Sequence, residues 1–365
     1  MHEALAAIAE QIRAAAARHE PLRIRAGGSK DFYGNPPRGT VLDPRALCGI
    51  VSYEPTELAL TVRCGTPLAQ VEAALDEQGQ MLAFEPPHYG HDATIGGCIA
   101  SALAGPRRAS AGYSYGGVRD FVLGAKLLDG RGQLLSFGGM VMKNVAGYDV
   151  ARLLTGSLGV LGVIIEVSLK VVPKHQVERT LRFVMSEAAA LHQLNAWGAQ
   201  PLPISASAWH TEALFVRLSG SAAAIEAAAA RLGGKLIEAG VAAQFWRGLR
   251  EQTDTFFAGE APLWRLSVPS SGAPVELGTQ QLIEWGGALR WLRCTHGTAQ
   301  IRARAQALGG HATLFRGGDR TQGVFTPLAP AVAAIHRRLR AQFDPHGIFD
   351  AGRMYPESHD ANHAR

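Results

Sequence analysis

Apolar positions change their period along the chain, and each change marks an element. Residues 1–20 place alanine, leucine and isoleucine at helical spacing and predict an amphipathic helix. Leu22 to Arg25 and Thr40 to Asp43 read as short strands, while Ile50 to Pro55 and Ala59 to Arg63 show the period-two character of half-buried strands. Thr66-Pro67-Leu68 opens a helix running to about Gln78, because a first helical turn has no use for the N–H that Pro67 lacks, and Gly79 closes it. Val118 to Leu128 and Gln133 to Phe137 form a strand pair around the hairpin signal Asp129-Gly130. A short helix over Val150 to Leu154 stops at Gly156, and Val160 to Val172 is a long apolar strand ended by Pro173. Small strands alternating with single helices suit an α+β domain better than a regular βαβ array.

Beyond residue 175 the pattern changes. Thr180 to Val184, Ala206 to His210 and Ala213 to Leu218 are strands, with helices over Ala188 to Trp197 and Ala222 to Leu232. Strand, helix, strand, strand, helix is the order of a split βαβ unit, with helices on one face of an antiparallel sheet. Strands at Trp264 to Val268, Ala288 to Cys294 and Ala312 to Phe315, with a helix near Ala299 to Leu308, complete that sheet. A basic helix over Ala331 to Phe343 leads into the turn-rich residues 344–353, and Pro356 to Arg365 reads as a frayed tail. The expected domains are 1–175, 176–325 and 326–365.

Composition narrows the function. The chain has 365 residues and a net charge of +5, yet no run of Lys or Arg exceeds two residues, so no nucleic-acid stripe is present. Four cysteines lack any C-x-x-C spacing, which argues against an iron–sulfur cluster or structural zinc and suits a reducing compartment. No secretory signal is evident at the start, and the longest apolar run, Leu158 to Ile165, is too short to cross a bilayer. The expectation is a cytoplasmic protein that meets a membrane only through partners.

The chemistry concentrates in glycine. Between Thr94 and Gly130, Gly96-Gly97, Gly105 and Gly116-Gly117 permit positive φ or close approach of backbone to a ligand. A short helix through Ile99 to Leu103 is expected to start after Ile95-Gly96-Gly97, offering unpaired N–H groups to an anion. Ala26-Gly27-Gly28-Ser29-Lys30 follows a strand and is apt for a diphosphate, with successive amides forming a nest and Ser29 adding a hydroxyl, although such a turn also closes hairpins. A nicotinamide site needs G-x-G-x-x-G between a strand and a helix, and Gly156-x-x-Gly159-x-x-Gly162 is followed by an apolar strand instead. His88 and His91 flank Tyr89-Gly90 in a loop and read as ordinary loop residues, so no metal site is expected.

Arg25 to Lys30, Ile95-Gly-Gly through Gly124 and Gly156 to Ile165 together resemble the FAD-binding family of the vanillyl-alcohol oxidase and p-cresol methylhydroxylase (PCMH) type. Phe343-Asp-Pro-His-Gly-Ile-Phe-Asp-Ala-Gly-Arg353 is similar to that family's C-terminal signature. Lys143 to Asp149 and Trp285 to Trp291 look most like the E-subunit branch of bacterial glycolate oxidases. The resemblance implies a two-subdomain α+β FAD domain, a ferredoxin-like antiparallel cap and a C-terminal helix returning to the FAD domain. It implies FAD contacts from Ala26, Gly27, Gly28, Ser29 and Lys30, from Thr94, Ile95, Gly96 and Gly97, and from Ser101, Gly105, Gly112, Ser114 and Ile164.

Arg265 and Arg290 are candidates for a substrate carboxylate or the flavin edge, since a planar fork suits a carboxylate, with packing arginines as the alternative and Lys143 and Tyr148 behind them. Near His311 the chain lacks the two-histidine metal stretch of related hydroxy-acid dehydrogenases. Three functions fit. The first is the FAD-binding subunit of a glycolate oxidase complex, acting on a small 2-hydroxy acid beside a catalytic FAD subunit and an iron–sulfur subunit. The others are a self-sufficient 2-hydroxy-acid dehydrogenase and a flavin-bearing assembly module. Covalent members of the family often carry His after the first Gly-Gly where this chain has Ser29, so the flavin is expected to be non-covalent. Acid precipitation of the purified protein should leave the yellow colour in the supernatant; colour retained in the pellet would overturn that expectation.

Overall fold

Helix α1 (His2–Arg18) buries Ile8, Ile12, Ala15 and Ala16 against Leu22, Leu42, Val163 and Phe349, as its amphipathic spacing requires. The computed structural model describes residues 2–108, 116–139, 149–278 and 280–355. Strands β1 (Leu22–Ile24) and β2 (Thr40–Leu42) pair in parallel, so the glycine-bearing segment between them is an excursion from one small sheet.

Next come β3 (Ile50–Glu54), β4 (Ala59–Arg63), α2 (Leu68–Asp76), β5 (Gln80–Met81), α3 (Ile95–Ser101), β6 (Val122–Leu128), β7 (Leu134–Gly138), α4 (Val150–Leu153), β8 (Val163–Lys170) and β9 (Val172–Pro173). Strands β3-β4-β8-β6-β7 form an antiparallel sheet in that order. Central position explains the long apolar run of β8: Val167 and Leu169 are fully buried in one core with Val62, Leu68 and Ile95. The hairpin after β6 pairs Leu128 with Leu134, and the buried Asp129 carboxylate accepts the amides of Arg131 and Gln133 to tighten it. Gly162 has φ of 140°, and a Cβ there would lie 2.4 Å from the Leu128 carbonyl oxygen. It must be glycine.

Helix α3 begins earlier than expected. Thr94 is its N-cap, with its hydroxyl accepting the Gly97 amide at 3.2 Å, so Gly96 and Gly97 lie inside the first turn. Close packing overrides the poor helix propensity of glycine here, because a Cβ on Gly96 would stand 2.7 Å from the Cys64 carbonyl oxygen.

The remaining elements are β10 (Val177–Val184), α5 (Glu187–Gly198), β11 (Ile204–His210), β12 (Ala213–Gly220), α6 (Ala222–Leu232), β13 (Lys235–Ile237), α7 (Ala239–Glu251), β14 (Leu263–Ser267), β15 (Gln280–Glu284), β16 (Leu289–Arg293), α8 (Thr298–Ala307), β17 (His311–Arg316) and α9 (Pro330–Phe343). They include one eight-stranded antiparallel sheet, β13-β10-β12-β11-β15-β16-β14-β17. Its first half has the strand order of a ferredoxin-like unit. Its second half joins at a narrow seam, where Ala208 pairs with Glu284 and Trp209 with Ile283. The residues after α9 return to the start of the fold: the Leu22 amide donates to Ile348 and the Asp350 amide to Leu22.

Four charged residues pin the two larger sheets together. Glu85, in the loop after β5, accepts Arg107 at 3.3 Å and Arg217 of β12 at 2.9 Å, while Glu178 of β10 takes the other end of Arg107 at 2.5 Å. Burial alone would raise the Glu85 carboxyl, but Arg217 and Arg107 hold it at about 2. The stabilisation is therefore present above the ordinary value of 4.5 and is lost as pH falls from there toward 2. Glu85→Gln removes the carboxylate that Arg217 and Arg107 share and is expected to cost about 3–5 kcal/mol at neutral pH. Thermal melts should show the variant and the parent converging as pH drops below 4.5; a constant gap across that range would refute the assignment.

Candidate cofactor and substrate site

The excursion between β1 and β2 leaves its first amides unused while carbonyls further along are bound by arginines. Gly28 has φ of 71° and a Cβ there would meet the Arg25 guanidinium at 2.2 Å, while a Cβ on Gly27 would collide with the Asp92 carbonyl oxygen. Among the described residues, the amides of Ala26, Gly27, Gly28, Ser29 and Lys30 donate to no acceptor. The carbonyls of Lys30, Asp31, Phe32, Gly34 and Asn35 are taken. Arg353 donates to Lys30, Asp31 and Asn35, and Arg320 to Phe32 at 2.8 Å and Gly34 at 3.0 Å. Asn35 is locked between the amide of Val324 and the carbonyls of Gly352 and Met354. A run of free amides braced from behind is the geometry of an anion nest.

The second expected anion contact is different. The Ile95 amide donates to Thr66, Gly96 to Cys64 and Gly97 to the Thr94 hydroxyl, so all three donors are used inside the protein. Gly97 offers room instead of N–H groups: the Thr94 hydroxyl, at 3.4 Å, is the nearest atom a Cβ there would meet.

A cleft of about 460 Å³ opens between the end of α3 with the loop before β8 and the second half of the eight-stranded sheet. Ser101, Gly156 and Leu158 line one wall, and Arg265, His311 and Thr313 the other. Ser101 lies at the end of α3, where its hydroxyl donates to the Cys98 carbonyl. Leu158 also borders a smaller recess of about 40 Å³ lined by Arg25, Asp31 and Arg353, so one residue separates the cleft from the base of the nest loop. Strands β14 and β17 set Arg265 opposite Thr313. The Arg265 guanidinium lies 5.2 Å over the Trp285 ring and donates to no acceptor among the described residues. Burial, then the charge of Arg265, lowers the pKa of His311. Burial raises the Tyr33 hydroxyl on the same cleft.

Other expected residues lie elsewhere. Arg290 is fully buried, and its guanidinium donates to the carbonyls of Gly287, Ala273 and Gly272, so it braces a loop of the cap and cannot reach a ligand in the cleft. Gly105 packs on Glu85, donates to Phe84 and accepts the Trp285 indole at 2.9 Å, which makes it an inter-sheet contact. Ile164 is buried within β8, pairing with Leu127 beside a register shift. Gly112, Ser114, Lys143 and Tyr148 lie outside the described residues. His88 pairs with Glu72 at 2.8 Å, and no group of metal-ligating side chains forms among the described residues. Arg320, Arg353 and Asn35 are the residues that sequence alone leaves unassigned as loop supports. The C-terminal signature holding Arg353 carried the only local sign of their role.

Comparison with known proteins agrees with this architecture. A family model described as FAD binding domain matches residues 3–138. The glycolate oxidase subunit GlcE of Escherichia coli (strain K12) is 48% identical over 351 residues, covering 96% of this chain and 97% of that protein. The glycolate oxidase subunit GlcD of Bacillus subtilis (strain 168) is 34% identical over 163 residues, which is 44% of this chain and 34% of that protein. Solved structures of alkyldihydroxyacetonephosphate synthase share the fold with TM-scores of 0.63 and 0.64 at 14% and 13% identity, covering 93% of this chain and 74% of theirs. Free loop amides, antiparallel sheets on both sides of a cleft and this near-complete likeness lead to one assignment: the chain belongs to the family of the glycolate oxidase subunit GlcE, within the FAD-binding proteins of the PCMH type.

Proposed function

We propose that this chain is the FAD-carrying subunit of a complex that oxidises glycolate, a 2-hydroxy acid, to glyoxylate. The observation that carries the reading is the pairing of a braced nest of unused amides with a cleft that presents an unpaired guanidinium. Ala26 to Lys30 would hold the diphosphate through backbone N–H groups, with the Ser29 hydroxyl beside them, and Gly97 would admit it closely. Ser101, Gly156 and Leu158 would line the flavin end. When bound, FAD supplies the two-electron acceptor that the oxidation of a 2-hydroxy acid needs.

The chain's own side chains set up the rest. Arg265 is the group to hold the substrate carboxylate, since its planar donors are free and Trp285 fixes its position. His311, on the neighbouring strand and with its pKa lowered, would take the hydroxyl proton. Electrons then leave to partners, for which we infer an iron–sulfur subunit and a second, GlcD-like FAD subunit. No helix among the described residues is long and apolar enough to cross a membrane.

The decisive experiment records flavin absorbance on adding glycolate, first to the isolated chain and then to the complex copurified with its partners. Bleaching only in the complex supports the subunit reading; dye reduction by the isolated chain at enzyme-like rates would favour a self-sufficient dehydrogenase. Arg265→Met should raise KM for glycolate about tenfold or more with FAD content unchanged, measured on the complex. Arg353→Met, which unbraces the loop, should weaken FAD binding about tenfold in a fluorescence titration of the isolated chain; unchanged affinity would remove the bracing role.

A further inference from the structure

Five arginines of the second half of the cap are spent on backbone. Arg290, Arg293, Arg302, Arg304 and Arg320 each donate to carbonyl oxygens. Arg265 and Arg316 donate to none among the described residues. A guanidinium carries five N–H donors, and leaving them without acceptors in a partly desolvated place is costly unless something else takes them up. Arg265 faces the cleft, but Arg316 does not line it. The last residue of β17, it sets its guanidinium carbon 4.3 Å from the Phe32 ring centre and 5.0 Å from that of Tyr89. Those faces position the cation and occupy none of its in-plane donors.

Lys30 approaches the same Tyr89 ring from the nest loop. Its ammonium lies 5.7 Å from the Tyr89 ring centre and touches only neutral acceptors, the His88 carbonyl at 3.3 Å and the Ser29 hydroxyl at 3.4 Å. The nearby carboxylate of Glu251 is committed elsewhere, accepting the amides of His88 and Tyr89 and pairing with Arg250. Burial lowers the pKa of both Lys30 and Arg316, as expected of cations lacking a close counter-ion. The Ser29 and Lys30 amides are among the free donors of the loop.

We propose that Arg316 and Lys30 form an oxyanion site at the junction of the nest loop and the cap, built for a phosphate or carboxylate group. The site deepens the function proposed above, on which its two natural sources rest: the diphosphate of FAD or the carboxylate of the hydroxy acid. It also gives the cap a direct charge contact with a ligand held by residues 26–30.

The full-length chain, Arg316→Met and Arg316→Lys distinguish these sources. FAD affinity is read by fluorescence quenching, and the melting temperature of FAD-free protein is read with inorganic pyrophosphate and with oxalate. A diphosphate site predicts that Arg316→Met loses about tenfold in affinity for FAD and for pyrophosphate, with part restored in Arg316→Lys. A carboxylate site predicts the same loss for oxalate while FAD binding is unchanged. Lys30→Met repeats the measurement without touching β17, should Arg316→Met not fold. If all three ligands bind the variants as tightly as the parent, the site does not exist. If the parent stabilises with pyrophosphate through Arg316 yet never binds FAD, the oxyanion site stands and the proposed function fails.

Discussion

The site depends on where a handful of carbonyl groups point. A peptide segment has as many acceptors as donors, and a loop can give its amides to an anion only if its carbonyls find partners on the other side. In residues 30–35 those partners are the guanidinium groups of Arg353 and Arg320. Each fork spans two or more carbonyls, which one ammonium could not do with the same rigidity. Gly27 and Gly28 make the backbone path possible, but the arginines decide which way it faces.

The brace comes from far along the chain, outside the residues 3–138 matched by the FAD binding domain. Arg320 belongs to the connection after β17, and Arg353 to the segment that docks on β1. Glu85, Arg107, Arg217 and Glu178 fix the other flank of the same interface. Between these two anchor points, Tyr33 and Leu103 from loops of the first domain share one hydrophobic cluster with Trp285, Trp291 and Phe315 of the cap. Cap and nest loop are thus one packed body.

Local chemistry was legible in the sequence wherever the signal was local. The strand–Gly–Gly–Ser loop, the Asp129-Gly130 hairpin and the apolar run of β8 each follow from residues close in sequence. So does the strand–helix–strand–strand–helix order of the cap. Errors arose where distant packing decides. Nothing in Ile95-Gly96-Gly97 announces that Cys64 and Thr66 will consume its amides, and Arg290 looks like any arginine in an apolar strand until the carbonyls of Gly272 and Ala273 appear around it. Strand β13, three residues at a sheet edge, carries too little pattern to read. Long-range pairing also hid Arg320, whose acceptors lie almost the whole chain away.

The docking of Ile348 to Asp350 on Leu22 bears on biosynthesis. A ribosome releases β1 and the glycine loop first and the residues that finish them last, so for most of translation the nest exists without its brace. Under the proposed function, cofactor capture is then a late event in the birth of this protein, since a nascent chain halted before Arg353 carries the glycine loop without its brace.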